Sequence, residues 1–287
     1  MANYKIITDS ACDLSRAMLQ QLDVSTVSLV VNFRGEVRND SVENQEVKTL
    51  YDAMRAGEVA TTSAVNPDGW AGVIEPVLAA GQDALVLAFS SGLSTTYQSA
   101  VIAANDLLEK HPDRKICVVD TGCAALGQGL FVHYVCKKRD EGFSLEDLAD
   151  WAEVNKTHVC HWFTVDDLVY LKRGGRVGAA TAVLGAMLNI KPVLHVDDEG
   201  HLISMAKVRG RKASIETLVK KYDELGVDYD NEIVYICHAD CMDDARKLEQ
   251  MMHDRGVKEV MIGNLGAVIG SHAGPGTLAL FFMGKHR

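Results

Sequence analysis

Residues 84–108, ALVLAFSSGLSTTYQSAVIAANDLL, constrain the fold more than any other stretch. Residues 84–89 are an unbroken apolar run, the mark of a strand covered on both faces. Ser90, Ser91 and Gly92 end the run. From Thr95 onward, Ala100, Ala103, Ala104, Leu107 and Leu108 recur at helical spacing. A buried strand therefore turns through hydroxyl residues directly into a helix N-terminus. Unpaired N–H groups and the positive end of the macrodipole suit such a place to an anion. Ser91 and Ser94 add hydroxyl donors. Capping of the helix by Ser94 or Thr95 accounts for the same residues without a ligand.

The surrounding chain repeats this alternation. A strand over 5–8 ends in Asp9-Ser10, and Asp13 is placed to cap a helix over 14–22. A second strand covers 24–33, and a helix over 42–56 is closed by Gly57. The hydroxyl cluster Thr61-Thr62-Ser63 precedes Asn66-Pro67, a cap followed by proline at the first helical position. That helix should reach about residue 80, with a kink at Pro76. A strand over 116–119 ends in Asp120-Thr121. Helices over 124–139 and 145–154 follow, the second opened by Ser144 and Asp147. Strands alternating with helices predict a doubly wound parallel sheet. Ligands of such sheets lie outside the carboxyl ends of the strands, where Asp9-Ser10, Ser91–Ser94 and Asp120-Thr121 all fall.

A second unit begins near residue 156. It reads as a strand over 159–164, a short helix over 166–171, the basic turn Lys172-Arg173-Gly174-Gly175-Arg176 and an apolar helix over 179–188. Strands over 192–196 and 202–208 flank a hairpin turn at Asp197-Asp198-Glu199-Gly200. A helix opened by Arg209-Gly210-Arg211-Lys212 and running to about 225, a strand over 233–237, a helix over 243–255 and strands over 257–262 and 277–282 complete it. The predicted fold class is α/β with two domains. Residues 1–155 form a doubly wound parallel-sheet domain, and 156–287 an α+β domain with a mixed sheet.

Composition removes several functions. A formal net charge of -10 argues against a nucleic-acid partner. Seven cysteines without a C-x-x-C pattern read as reduced thiols, so a cytoplasmic location is expected. The start, MANYKIITDS, is too polar for a signal peptide, and no apolar run approaches the ~20 residues of an integral membrane helix. Gly274-Pro275-Gly276-Thr277-Leu278-Ala279 matches G-x-G-x-x-[GA], but a strand rather than a helix follows it, which rejects dinucleotide binding. No P-loop pattern for ATP is present. Cys237-His238-Ala239-Asp240-Cys241 has no second ligand pair at zinc spacing, so no metal is expected. Gly92-Leu93-Ser94-Thr95-Thr96 is similar to a nucleophile elbow, with His272 later in the chain, although the second glycine is absent. A serine acyl hydrolase using Ser94 and His272 therefore stands as an alternative. Lys172, Arg173 and Arg176 are either a solvated loop or a docking patch on an acidic protein.

Several separate motifs, in order, carry a resemblance. They are Ile7-Thr8-Asp9-Ser10, Thr62-Ser63 before a capped helix, Ser90-Ser91-Gly92-Leu93-Ser94, Leu171-Lys172-Arg173-Gly174-Gly175-Arg176, Asn189-Ile190-Lys191-Pro192 and Gly270-Ser271-His272-Ala273-Gly274-Pro275-Gly276. With these the chain resembles, over nearly its whole length, the DegV family of bacterial fatty-acid-binding proteins. The resemblance implies a long-chain fatty acid such as palmitate, stearate or oleate, buried between helices and sheet, and no cofactor. It puts Thr62, Ser63, Ser94, His272 and Arg209 at the carboxylate, with Ser91, Gly92 and Gly274 near the head group. It further implies a non-catalytic, lipid-presenting subunit of a two-component fatty acid kinase in phospholipid metabolism. The ATP-binding kinase is a separate chain and the product an acyl phosphate. Arg176, with Arg173 and Lys172, falls in the segment that docks the kinase. Thr95 departs from the family, which commonly has Gly there, and residues 61–66 depart from its usual Gln-Pro wording. The physics is consistent with such a ligand. About fourteen buried methylenes at ~0.8 kcal/mol each give a gross ~11 kcal/mol, and the carboxylate then needs partners. A lipid-sensing regulatory protein that meets no kinase is the remaining alternative.

Overall fold

The computed structural model describes residues 3–177, 189–226 and 231–287. The first half runs β1 (Tyr4–Asp9), α1 (Arg16–Gln21), β2 (Val24–Val27), β3 (Val30–Phe33), β4 (Glu36–Asn39), α2 (Asn44–Arg55), β5 (Thr61–Ser63), α3 (Pro67–Ala79), β6 (Asp83–Ala88), α4 (Thr96–Lys110), β7 (Ile116–Asp120), α5 (Ala125–Asp140) and α6 (Leu145–Asn155). The second half runs β8 (Val159–Thr164), α7 (Val169–Gly174), β9 (Ile190–Val196), β10 (Leu202–Arg209), α8 (Arg211–Leu225), β11 (Ile233–His238), α9 (Met242–His253), β12 (Glu259–Asn264), α10 (Ala267–Ala273) and β13 (Leu278–Met283).

The apolar run at 84–88 is fully buried and sits inside a parallel sheet of order β2-β1-β6-β7. Val86 pairs with Ile7 on one side and Val118 on the other. The second half builds a mixed sheet of order β10-β9-β8-β13-β11-β12. There β11 and β12 are parallel, and the other neighbours antiparallel. The fold is thus α/β with one parallel and one mixed sheet. The position 155/156 lies between α6 and β8, but one apolar cluster runs from Tyr4 to Met283 through both halves.

Helix α5 explains that continuity. Residues 125–132 are buried without interruption, as in a helix covered all round. It packs on β8, β11 and β13 and on the turn after β1. Gln128 Nε2 donates to Thr8 Oγ1 at 3.0 Å, reaching the parallel sheet. Two glycines allow the approach. A Cβ at Gly127 would lie 2.2 Å from His161 Nε2, and one at Gly129 2.7 Å from the Cys12 carbonyl.

Three local expectations are corrected. The strand expected over 24–33 divides into β2 and β3, which lie in different sheets. The division falls at Ser28-Leu29, where Ser28 Oγ accepts the Asp40 N–H and Ser10 Oγ accepts the Leu29 N–H, both at 3.0 Å. These bonds turn the chain into a third, antiparallel sheet of order β4-β3-β5. Its hairpin turn, Arg34-Gly35, has φ of 54° and 78°, the signature of a two-residue primed turn. Asp13 is not the N-cap of α1. It is buried at φ 54°, and Ser15 caps α1 by accepting the Met18 N–H. The short helix expected at 166 starts instead at Val169. Asn66 and Ser144 cap α3 and α6 as expected, accepting N–H groups at 2.8 and 3.2 Å. The apolar helix expected over 179–188 falls at residues outside those described. Among the described residues no helix is long and apolar enough to cross a membrane, and no group of three acidic, His or Cys side chains could hold a metal ion.

Arg287 ties the two sheets together. Its buried guanidinium donates to the carbonyls of Thr121, Lys156, Val159 and Asp197. Arg287→Ala removes these four guanidinium bonds, although each carbonyl keeps a second donor, and should lower stability by about 3 kcal/mol. Urea unfolding of mutant and wild type measures the difference.

Candidate functional site

A cavity of about 490 Å³ opens beyond the carboxyl ends of β6 and β7, within the size range of small-molecule sites. Phe89, Phe163, Leu202, Val268 and Phe281 form much of its apolar wall. Among the polar side chains on its wall are Thr62 on β5, Ser91 and Ser94 in the turn after β6, His161 on β8, Arg176 after α7, His272 on α10 and Thr277 before β13.

Thr62 and His272 are bonded to each other, Oγ1 to Nε2 at 2.7 Å. Strand alternation brings Thr62 inward and sends Ser63 outward. Ser63 is exposed and its Oγ accepts from Asn32 Nδ2 at 3.3 Å, so its side chain does not join the cavity. His272 occupies the last turn of α10. Burial, and then the positive charge of Arg176, push its imidazole down to about 4. At neutral pH it is therefore an uncharged donor or acceptor, not a cation. Arg176 Nε donates to the Leu93 carbonyl at 3.3 Å and Nη1 to the Gly174 carbonyl. The guanidinium thus links α7 to the turn after β6. The spacing of Lys172, Arg173 and Arg176 gave all three one role. All three are exposed, but the structure separates them: Arg176 also lines the cavity, while Lys172 and Arg173 do not, and Arg173 lies 5.9 Å from the centre of the Tyr170 ring.

Of the two readings of the turn after β6, an anion site or a cap, the structure has the capping bond, the Thr96 N–H to Ser94 Oγ at 3.2 Å. The turn's N–H groups are largely spent within the protein. Ser91 donates to Asp120 Oδ1, Gly92 to Ser90 Oγ, Leu93 and Ser94 to the Ser90 carbonyl, and Thr96 to Ser94 Oγ. What the turn offers the cavity is hydroxyls. Three more predicted residues lie outside the lining. Arg209 is exposed at the end of β10. Gly92 and Gly274 serve packing: a Cβ at Gly92 would lie 2.9 Å from the Gly200 backbone, and one at Gly274 2.2 Å from the Tyr170 ring.

A nucleophile–base pair needs Ser94 within reach of His272. Ser94 Oγ is instead bonded to Thr96 Oγ1 at 2.8 Å, and His272 Nε2 to Thr62. The hydrolase arrangement is not assembled.

Fold and cavity together define an α/β protein that encloses an apolar space with a few hydroxyl, imidazole and guanidinium groups on its wall. The chain belongs to the DegV family, whose model, described as "Uncharacterised protein, DegV family", matches residues 3–285. A DegV domain-containing protein of Clostridium perfringens is 41% identical over 99% of this chain and 98% of its own. Among solved structures, a DegV family protein from Thermus thermophilus described for its fatty acid binding superimposes with a TM-score of 0.87 at 33% identity, covering 98% of this chain and 99% of that one. A DegV lipid binding protein from Thermotoga maritima gives 0.85 at 29% identity, with both chains fully covered.

Two measurements test the geometry. A Cβ at Gly174 would come 2.2 Å from His272 Nδ1. Gly174→Ala should therefore displace the imidazole and shift its NMR signals while removing no polar atom. The second uses pH. His272 has a lower pKa folded, about 4, than unfolded, about 6.5. The unfolded chain then binds more protons across that window, so His272 contributes stability above pH 6.5 that is lost as pH falls toward 4. His272→Gln should remove this contribution, seen by comparing unfolding free energies of mutant and wild type from pH 4 to 7.

Proposed function

We propose that this chain binds one long-chain fatty acid in the cavity. It presents the carboxylate to a separate ATP-dependent kinase in the cytoplasm, which forms the acyl phosphate for phospholipid metabolism. The observation that carries the reading is the Thr62–His272 pair beside Arg176 in a largely apolar cavity. A buried carboxylate needs hydrogen bonds and a counter-charge. Thr62, Ser94 and neutral His272 supply hydrogen bonds, and Arg176 supplies the charge. The structural relatives named for fatty acid or lipid binding support the ligand class. The chain has no P-loop pattern of its own and its Ser94 is not paired with a base, which supports a carrier rather than an enzyme. Lys172 and Arg173, exposed beside the cavity-lining Arg176, suit an acidic surface on the kinase and would mainly speed encounter.

Organic extraction of the purified protein should yield a stoichiometric fatty acid. Absence of lipid, with no uptake of added palmitate or oleate, would overturn the reading. His272→Ala should weaken fatty-acid binding by ~1.5–3 kcal/mol, the worth of a hydrogen bond to a charged group, with little change in lipid-free melting temperature. Lys172→Ala and Arg173→Ala should keep fatty-acid affinity and slow kinase-coupled acyl-phosphate formation, whereas Arg176→Ala should impair both. Kinase turnover across a range of kinase concentrations separates these outcomes.

A further inference from the structure

Asp40 lies outside the cavity lining, yet both partners of the Thr62–His272 bond trace back to it. Its Oδ1 accepts the Val268 N–H at 2.9 Å, near the start of α10. The next residue, Ser41, accepts the Ala267 N–H through its carbonyl at 2.9 Å. The first two N–H groups of α10 are thus held by Asp40 and its neighbour. This helix is only seven residues long, about 10 Å, and His272 sits at its other end. A displacement at Val268 is carried through less than two turns to the imidazole. On the opposite side, the Asp40 N–H donates to the Leu29 carbonyl at 2.9 Å, and Oδ2 accepts Ser10 Oγ at 2.9 Å. Ser10 Oγ in turn accepts the Leu29 N–H. Leu29 leads into β3, and β3 pairs with β5 through Val31 and Thr62. Gly266 lets the start of α10 close on a further buried carboxyl, since a Cβ there would lie 2.2 Å from Asp13 Oδ1.

We propose that Asp40 is a positioning residue of the fatty-acid site: it grips the start of α10 and the approach to β3, and so sets His272 against Thr62. The role in ligand binding rests on the fatty-acid reading above; the placement of His272 does not. Asp40→Ala removes every side-chain acceptor. Asp40→Asn keeps one oxygen for Val268. Ser10→Ala removes only the donor to Oδ2. Leu248→Ala, in the separate core formed with α8 and α9, provides a destabilised control remote from the cavity.

Two readouts apply to each variant. The first is the His272 ring titration by NMR in lipid-free protein. The second is affinity for a fluorescent fatty acid. In Asp40→Ala the His272 titration should move up from about 4 toward the ordinary histidine range. Affinity should fall about tenfold, the scale of a lost hydrogen bond to a charged group. Asp40→Asn should restore most of both, and Ser10→Ala should fall between. If Asp40→Ala does not fold, Ser10→Ala decides by the same criteria, since it is expected to differ from wild type. An unchanged His272 titration in the folded variants, with affinity no lower than that of Leu248→Ala, overturns the proposal. A wild type that takes up no fatty acid overturns the fatty-acid reading instead, and the lipid-free titration still decides the role of Asp40.

Discussion

Helix α5 has to touch two sheets at once. A helix with ordinary side chains all round needs 8–10 Å to each neighbour, and Gly127 and Gly129 shorten that distance on two sides. The gain is one apolar cluster shared by both halves of the chain. The cost is that little volume is left for adjustment around α5. Ala124 and Ala125, at its start, line the cavity together with His161 and Phe281 from the mixed sheet. The cavity is therefore bounded by a rigid packing element on one side. On the other side stand lighter parts: the three-stranded sheet carrying Thr62 and the seven-residue α10 carrying His272. Both pack on the shared apolar cluster through Val31, Phe33, Val268 and Ala273, and hydrogen bonds at Asp40 fix their ends.

The electrostatics of the cavity follow from that arrangement. His161 also lines it but is committed, with Nδ1 to the Val159 carbonyl and Nε2 accepting the Ala124 N–H. Burial pushes its pKa well below the ordinary value, so it stays neutral and adds a surface without charge. His272 is neutral for a related reason, and there Arg176 adds its repulsion. Among the described lining residues, Arg176 is then the one that carries a positive charge at neutral pH. A single cation among neutral donors suits a monoanionic head group. It can neutralise one carboxylate while hydroxyls and imidazole complete its hydrogen bonds.

The sequence made the parallel sheet legible because its strands are short apolar runs ending in Asp or Ser, and because Asn66 and Ser144 are unambiguous caps. The mixed sheet was legible through the hairpin at Asp197-Asp198-Glu199-Gly200. The three-stranded sheet was not. β4 has four exposed residues and β5 two exposed of three, so neither shows apolar alternation, and Arg34-Gly35 was the only turn signal. Of the residues that motif order singled out, Thr62, Ser94 and His272 line the cavity. Motif order could not separate Thr62 from Ser63, because residues adjacent along a strand face opposite ways and only pairing with β3 shows which is inward. Nor could it divide Lys172, Arg173 and Arg176, whose fates depend on where the turn at Gly174-Gly175 sends the chain. Asp40 was invisible, since its partners Ser10, Leu29 and Val268 are distant in sequence.

The two ends of α10 respond to pH in opposite senses. At its start, burial raises Asp40 to about 6 against the pull of its N–H and hydroxyl donors, and holds Asp13 well above the carboxylate range. A carboxyl raised above its unfolded value binds more protons in the native state, so its contribution to stability is present at low pH and fades as pH rises through the folded pKa. At the other end, His272 binds fewer protons folded than unfolded, so its contribution fades as pH falls below 6.5. Between about pH 4 and 6.5 the Asp40 and His272 slopes oppose one another. Acidification that relieves the buried carboxyl charge at one end of α10 burdens the imidazole at the other. Removing either group unbalances the helix, and the three-stranded sheet, also tied to Asp40, moves with it.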